Sequence, residues 1–462
     1  MVFSSAVFLY LFLPVFLTIY ALTPRSLKSV AISLASWVFY GWWRPDFVLL
    51  MLFQSFVDFA IGIKIGKEHG LGRSGKSWMI LSVVLNLGLL GWFKYANFGV
   101  ETLNASLKAM GFVEVGWTQI VLPVGISFYT FQTMSYTIDV YWKQVEPTRR
   151  LWDFLAFVSM FPQLVAGPIV RYRDVDLQLR NRRHTFAAFS QGVLALQSGF
   201  CKKILIADVL ARIADDAFGA RTLSTADAWI GAAAYTFQIY FDFSGYSDMA
   251  IGLGLMIGFR FPINFNRPYM AESITDFWRR WHISLSTWLR DYLYIPLGGN
   301  RKGPIRTHVN LAATMLLGGL WHGANWTFIA WGAWQGLWLI IERLGAKSSL
   351  LGQAPRVVKI AFTMALVVLG WVFFRANGLP HALRYFAAML GVAAPANPVI
   401  YLNLLHYVVF AAAAIATWAM PTTQSLTSRP RLPWILAIQL LFALALVHLH
   451  YQDHVPFLYF QF

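Results

Sequence analysis

The chain has 462 residues, of which 58% are hydrophobic and only 13% charged. Soluble domains carry roughly 25% charged residues, so too little polar surface remains here to coat a water-soluble globule, and the chain reads as an integral membrane protein. The formal charge of +16 does not point to nucleic acid, because the basic residues fall in short blocks between apolar runs, as in cytoplasmic loops of membrane proteins.

Residues 1–22 are apolar, without a basic leader before them or an A-x-A site after them, and read as a first spanning helix. Arg25 and Lys28 follow, which places the N-terminus outside. Two apolar stretches, 30–50 and 50–63, are split by Arg44, Pro45 and Asp46; Lys64, Lys67, Arg73 and Lys76 then return the chain to the cytoplasm. Residues 79–96 cross outward to a loop with Glu101 and Glu114, and 120–141 cross back to Lys143, Arg149 and Arg150. Residues 151–170 are apolar but carry Pro162, Gly167 and Pro168, with Arg171, Arg173, Arg180, Arg182 and Arg183 directly after. Basic loops on both sides predict a re-entrant element, since broken backbone at depth is tolerated where protein or water lines it.

Residues 185–257 hold one or two further hairpins. Residues 311–341 form a helical pair meeting around 321–326, and 360–374, 400–420 and 434–450 complete the set. Arg429 and Arg431 place the last loop inside and the C-terminus outside. The expected fold is all-α and polytopic, with about ten to twelve spans of ~20 apolar residues plus re-entrant and amphipathic helices. No repeat or separate soluble domain is evident, so residues 1–462 read as one membrane domain.

A charge at the centre of an inserted helix costs roughly 2.5–3.5 kcal/mol, so polar clusters inside apolar segments need a reason. In LGGLWHGANW, His322 lies between two apolar helices, flanked by Gly318, Gly319 and Gly323. A neutral imidazole suits general-base work near pH 7, with Asn325 or a backbone carbonyl fixing its tautomer; a histidine bridging two helices is the competing reading.

SITDFWRRWHISLSTWLRDYLYIPLGGN, residues 273–300, is predicted as one amphipathic helix started by Ser273 or Thr275 and ended by Pro296. Phe277, Trp281, Leu285, Trp288 and Tyr292 make its apolar face, and Thr275, Arg279, His282, Ser286 and Arg290 a polar stripe. Such arginines could hold the phosphates of a nucleotide-bearing donor, with His282 facing the same cavity; an interfacial helix with snorkelling arginines is the plainer alternative. In QIYFDFSGYSD, Asp242 and Asp248 are six residues apart, too far around a helix to act as a carboxylate pair, and they read as partners of the arginines.

Other signals are weaker. Cys201, the one cysteine, excludes an intramolecular disulfide; beside Lys202 and Lys203 it could be a nucleophile or an acylation site, but a small apolar residue near a membrane boundary is the plainer reading. His450 and His454 are one helical turn apart, yet no acidic cluster adjoins them and no metal site is expected. The aromatic end, VPFLYFQF, reads as an interfacial anchor or a docking tail.

Taken in order, MVFSSAVFLYLFLPVF, FKYANFG, LPVGISFYTFQTMSY, FPQLVAGPIVR, YFDFSGYSDMAIGLG, FWRRWHISLSTWLRDYLYIPLGGNR, LLGGLWHGANW and PFLYFQF closely resemble the membrane-bound O-acyltransferase family, in particular its bacterial members that O-acetylate alginate. The resemblance implies a ring of tilted helices around a thinned centre. It matches His322 to the family's catalytic histidine and His282 to a second histidine needed for activity. It also implies acetyl-CoA as a cytoplasmic donor, an exopolysaccharide as final acceptor, and a periplasmic SGNH-hydrolase-like acetyltransferase as partner, in the inner membrane. On that reading Arg279, Arg290, Ser286 and Trp281 surround the donor, while Asn325, Asp242 and Asp248 support the site. Acetylation of cellulose or another exopolysaccharide, and transport of a polysaccharide or acyl carrier, are the alternatives.

Overall fold

Where apolar runs alternate with basic blocks, each backbone amide in the apolar run must find its partner within the run, and helices result. The computed structural model describes residues 1–345, 352–393, 397–451 and Leu458, and among these there is no β-strand. His454 and most of the aromatic tail lie outside the described residues. In chain order the helices are α1 (Leu13–Leu22), α2 (Lys28–Gly41), α3 (Asp46–Gly70), α4 (Lys76–Ala109), α5 (Ile126–Tyr141), α6 (Leu151–Ser159), α7 (Phe161–Leu164), α8 (Tyr172–Arg180), α9 (Phe186–Cys201), α10 (Asp208–Gly219), α11 (Thr225–Met256), α12 (Ile274–Arg280), α13 (Ile283–Leu289), α14 (Gly303–His322), α15 (Trp326–Leu344), α16 (Arg356–Arg375), α17 (Leu379–Met389), α18 (Leu404–Trp418), α19 (Thr423–Ser428) and α20 (Leu432–Tyr451).

By length and composition, α3, α4, α16 and α20 are long and apolar enough to cross a membrane, and residues 8–22 and α18 are shorter apolar helices. Helices α5, α6 and α7 have 16, 9 and 4 residues, short of the ~20 that cross a bilayer core, and nearly all of their residues are buried against protein.

The chain divides into two compact units, one formed by residues 1–193 with 250–262 and the other by 194–249 with 263–462. In the first, α3, α4 and α5 are joined by buried polar side chains. Asp58 accepts from Ser82 Oγ at 2.7 Å and Asn86 Nδ2 at 2.8 Å, Ser82 lies 2.8 Å from Thr137 Oγ1, and Gln54 donates to Thr130 at 3.1 Å. Such hydrogen bonds join helices where lipid supplies no hydrophobic drive.

Residues 112–124 are not helical, so the segment expected over 120–141 begins only at Ile126, while α4 runs on to Ala109. Two asparagines of α4 explain this. Asn97 exchanges hydrogen bonds with the Ile120 backbone (2.8 and 3.0 Å) and Asn104 with the Val115 backbone (2.8 and 2.9 Å), so side-chain amides satisfy an extended strip. The segment expected to be re-entrant is broken as its prolines require, with α6 and α7 meeting at Met160.

In the second unit, α14 and α15 make a tight antiparallel pair. A Cβ added at Gly319 would lie 2.2 Å from the Phe328 carbonyl oxygen, and one at Gly332 2.5 Å from that of Met315. Glycine at both positions is therefore what lets the two backbones touch.

Candidate active site

The segment 273–300 is not the single helix its periodicity predicts. It breaks at Trp281–His282 into α12 and α13, with His282 in the left-handed region at φ +43°. The cause is Asn264. Its Oδ1 accepts from the Ser284 backbone N–H (3.2 Å) and Ser284 Oγ (2.9 Å), and lies 3.1 Å from His282 Nδ1. Asn264 Nδ2 donates to Ser247 Oγ at 3.0 Å. These partners outweigh continuation of the helix, and the polar stripe from Thr275 to Arg290 is not one continuous face.

This arrangement fixes the His282 tautomer. A backbone N–H only donates, so the asparagine atom it meets is the oxygen, and His282 Nδ1 carries the proton. The lone pair is then on Nε2, which is buried with no hydrogen-bond partner among the described residues. The start of α12 is held by Ser273, which caps Asp276 N at 3.0 Å, and by Glu342 of α15, which accepts from Thr275 N (2.9 Å) and Oγ1 (2.7 Å).

His322 is the last residue of α14 and is 5% exposed. Its ring centroid lies 5.1 Å from Trp321, 5.1 Å from Trp331, 5.2 Å from Phe374 and 6.4 Å from His282. His322 lines a cavity of about 100 Å³, walled by Trp278, Leu285, Leu289, Met315 and Trp331, with Ser286 and Thr314 as polar groups. The Trp331 indole nitrogen is buried and has no partner among the described residues. A base, a buried N–H donor and an apolar cavity are the components that acyl transfer requires.

The other expected site residues divide. Ser286 lines the cavity. Trp281 instead packs in an aromatic cluster with Phe265 at 5.0 Å, Phe277 at 5.5 Å and Trp371 at 4.9 Å. Arg279 and Arg290 are exposed, and Arg290 is paired with Asp291 at 2.7 Å. Asn325 caps α15, accepting from Thr327 N at 3.0 Å and donating to the Asn377 carbonyl at 3.3 Å.

Asp242 and Asp248 pair with lysines and not with arginines, because α11 lies beside the turn at Lys202 and Lys203. Asp242 meets Lys203 at 2.6 Å, Lys203 also meets Asp208 at 2.7 Å, and the Leu458 backbone N–H donates to Asp242 at 2.9 Å. Asp248 meets Lys202 at 2.6 Å and accepts from Thr423 and Gln424. Cys201 is buried. Among the described residues no group of three or more His, Cys, Asp and Glu side chains is placed to hold a metal ion.

Sequence reasoning missed Asn264, Trp331, Trp278 and Glu342. Asn264 stands in INFN, a polar residue between apolar neighbours, but nothing local says that it reaches a histidine on another segment.

Residues 149–379 match the family model for MBOAT, the membrane-bound O-acyltransferase family. Over 487 aligned residues covering the whole of both chains, the sequence is 48% identical to the probable alginate O-acetylase AlgI of Pseudomonas putida. It is 55% identical to the protein of that name from Pseudomonas aeruginosa, over 84% of this chain and 75% of that one. It is also 36% identical to the peptidoglycan O-acetyltransferase of Helicobacter pylori, over 85% of this chain and 80% of that one. With its apolar helices and a buried histidine beside a small cavity, the chain belongs to the membrane-bound O-acyltransferase family and is a membrane acyltransferase.

Proposed function

We propose that the protein moves an acetyl group from cytoplasmic acetyl-CoA across the inner membrane for O-acetylation of an exopolysaccharide, with alginate as the first candidate. The supporting observation is the cavity beside His322. An apolar cavity of ~150 Å³ accommodates benzene, so about 100 Å³ suits an acetyl group. The acceptor named for the Pseudomonas relatives is alginate. A different cell-envelope polymer is the second reading, because the Helicobacter relative is named for peptidoglycan.

In this reading His322 takes the proton of the acceptor hydroxyl as its oxygen attacks the thioester carbonyl. The new C–O bond forms, the C–S bond breaks, and the proton passes from the imidazole to the departing thiolate. The Trp331 N–H donates to the carbonyl oxygen as charge develops there. His282, its Nε2 lone pair set by the Asn264 contact, orients the donor end by accepting a hydrogen bond from it. Arg279 and Arg290 hold donor phosphates, which must then displace Asp291 from Arg290. The acetyl group leaves through a periplasmic SGNH-hydrolase-like acetyltransferase, both termini are periplasmic, and residues 1–462 act as one membrane domain of about ten to twelve spans.

The test uses purified protein in nanodiscs with radiolabelled acetyl-CoA, partner and polymer supplied, comparing wild type with a folded His322→Ala variant. Label transferred by wild type and not by the variant supports the reading. Equal transfer by both removes His322 from the chemistry. No transfer by either moves a transport function ahead.

A further inference from the structure

At the start of α2, within the first unit, cationic side chains gather. Lys28 is buried; its Nζ donates to the Tyr20 carbonyl at 2.6 Å and lies 4.1 Å from the Tyr20 ring centroid. The Arg182 side chain is 7% exposed and its guanidinium lies 5.2 Å from the Phe259 ring. One of its terminal nitrogens donates to Ser29 Oγ, and the other is buried with no partner among the described residues. The Tyr20 hydroxyl donates to the Ile257 carbonyl at 2.7 Å, so at 3.0 Å from His184 Nε2 it accepts, and that ring nitrogen carries a proton.

Negative charge is short here. Asp153 is 3.9 Å from Arg182, but it is shared with Arg150 at 3.6 Å and also accepts from Ser29 Oγ. Burial, then Arg182 and Arg25, push the Lys28 ammonium below its ordinary range. Burial, then Lys28 and Arg182, do the same to His184. Burying cations without matching anions is costly unless a ligand supplies the charge.

We propose that Lys28, Arg182 and His184 form a binding site for a phosphate group. The free terminal nitrogen of Arg182 and the Lys28 ammonium supply charge-assisted donors, and the guanidinium plane matches phosphate oxygens in a way an isolated ammonium does not. Such a phosphate belongs to an anionic phospholipid headgroup or to a soluble phosphorylated ligand. The site goes beyond the acyl-transfer reading, and a His322→Ala chain is expected to bind equally well.

The test measures Tm of the full-length protein in neutral detergent with short-chain phosphatidylglycerol, inorganic phosphate, or sodium chloride at matched ionic strength. A ligand that binds the folded chain raises Tm in a saturable way. At least one phosphate probe is expected to raise Tm by several degrees over the chloride control. That rise should vanish in Lys28→Met and Arg182→Gln and be partly kept in Arg182→Lys. A rise with phosphatidylglycerol alone assigns the site to a lipid headgroup, and one with inorganic phosphate to a soluble ligand. If Arg182→Gln does not fold, Lys28→Met and Arg182→Lys carry the comparison. No rise beyond chloride, or an equal rise in the variants, overturns the site.

Discussion

His282 and His322 lie with ring centroids 6.4 Å apart and planes inclined at 58°, one at a helix break and the other at a helix end. The break exists because Asn264 holds the His282 Nδ1 side and the Ser284 backbone together. It leaves the Nε2 lone pair buried, with no hydrogen-bond partner among the described residues.

Asn264 is therefore expected to act through His282. Asn264→Leu removes the acceptor that fixes the tautomer, and kcat/KM for the thioester donor should fall about tenfold, the scale of one lost hydrogen bond to the donor. Asn264→Asp keeps an acceptor oxygen and should restore part of the rate, with a shifted pH profile. Steady-state kinetics across pH checks this; equal loss in both variants at every pH would reduce Asn264 to a packing role.

The Trp331 indole N–H has no partner among the described residues, and its ring centroid lies 5.1 Å from that of His322. Trp331→Phe keeps most of the aromatic wall and deletes the donor, so kcat should fall by about 10²-fold, the scale of one lost oxyanion donor. An unchanged kcat in a variant of normal Tm would remove Trp331 from the chemistry.

Cavity size should set donor choice. Wild type is expected to prefer acetyl over butyryl thioesters, since one methylene in an apolar pocket is worth about 10–200-fold. Trp278→Ala enlarges the cavity wall and should narrow that preference at least tenfold, measured as the ratio of kcat/KM for the two donors.

Lys203 holds two carboxylates, Asp208 and Asp242, with its side chain 3% exposed. Lys203→Met leaves both without their cation, and breaking a buried pair costs about 3–5 kcal/mol. Tm should drop sharply, whereas Arg290→Gln, at an exposed pair worth about 0–1 kcal/mol, should leave Tm nearly unchanged.

Much was legible in the sequence because membrane insertion forces composition into view. The fraction of charged residues, the ~20-residue apolar runs and the basic blocks follow from the cost of burying charge and backbone polarity in lipid. The glycines around His322 also announced a close approach, because few other residues let helices meet at that distance. Periodicity failed over 273–300 for a specific reason. It assumes local hydrogen bonding, and Asn264, from another segment, captured the groups that would have continued the helix. The partners of Asp242 and Asp248 were likewise fixed by which lysines α11 meets in space. Composition and local pattern determine what a segment is; only the tertiary structure decides which distant side chain claims each buried donor and acceptor.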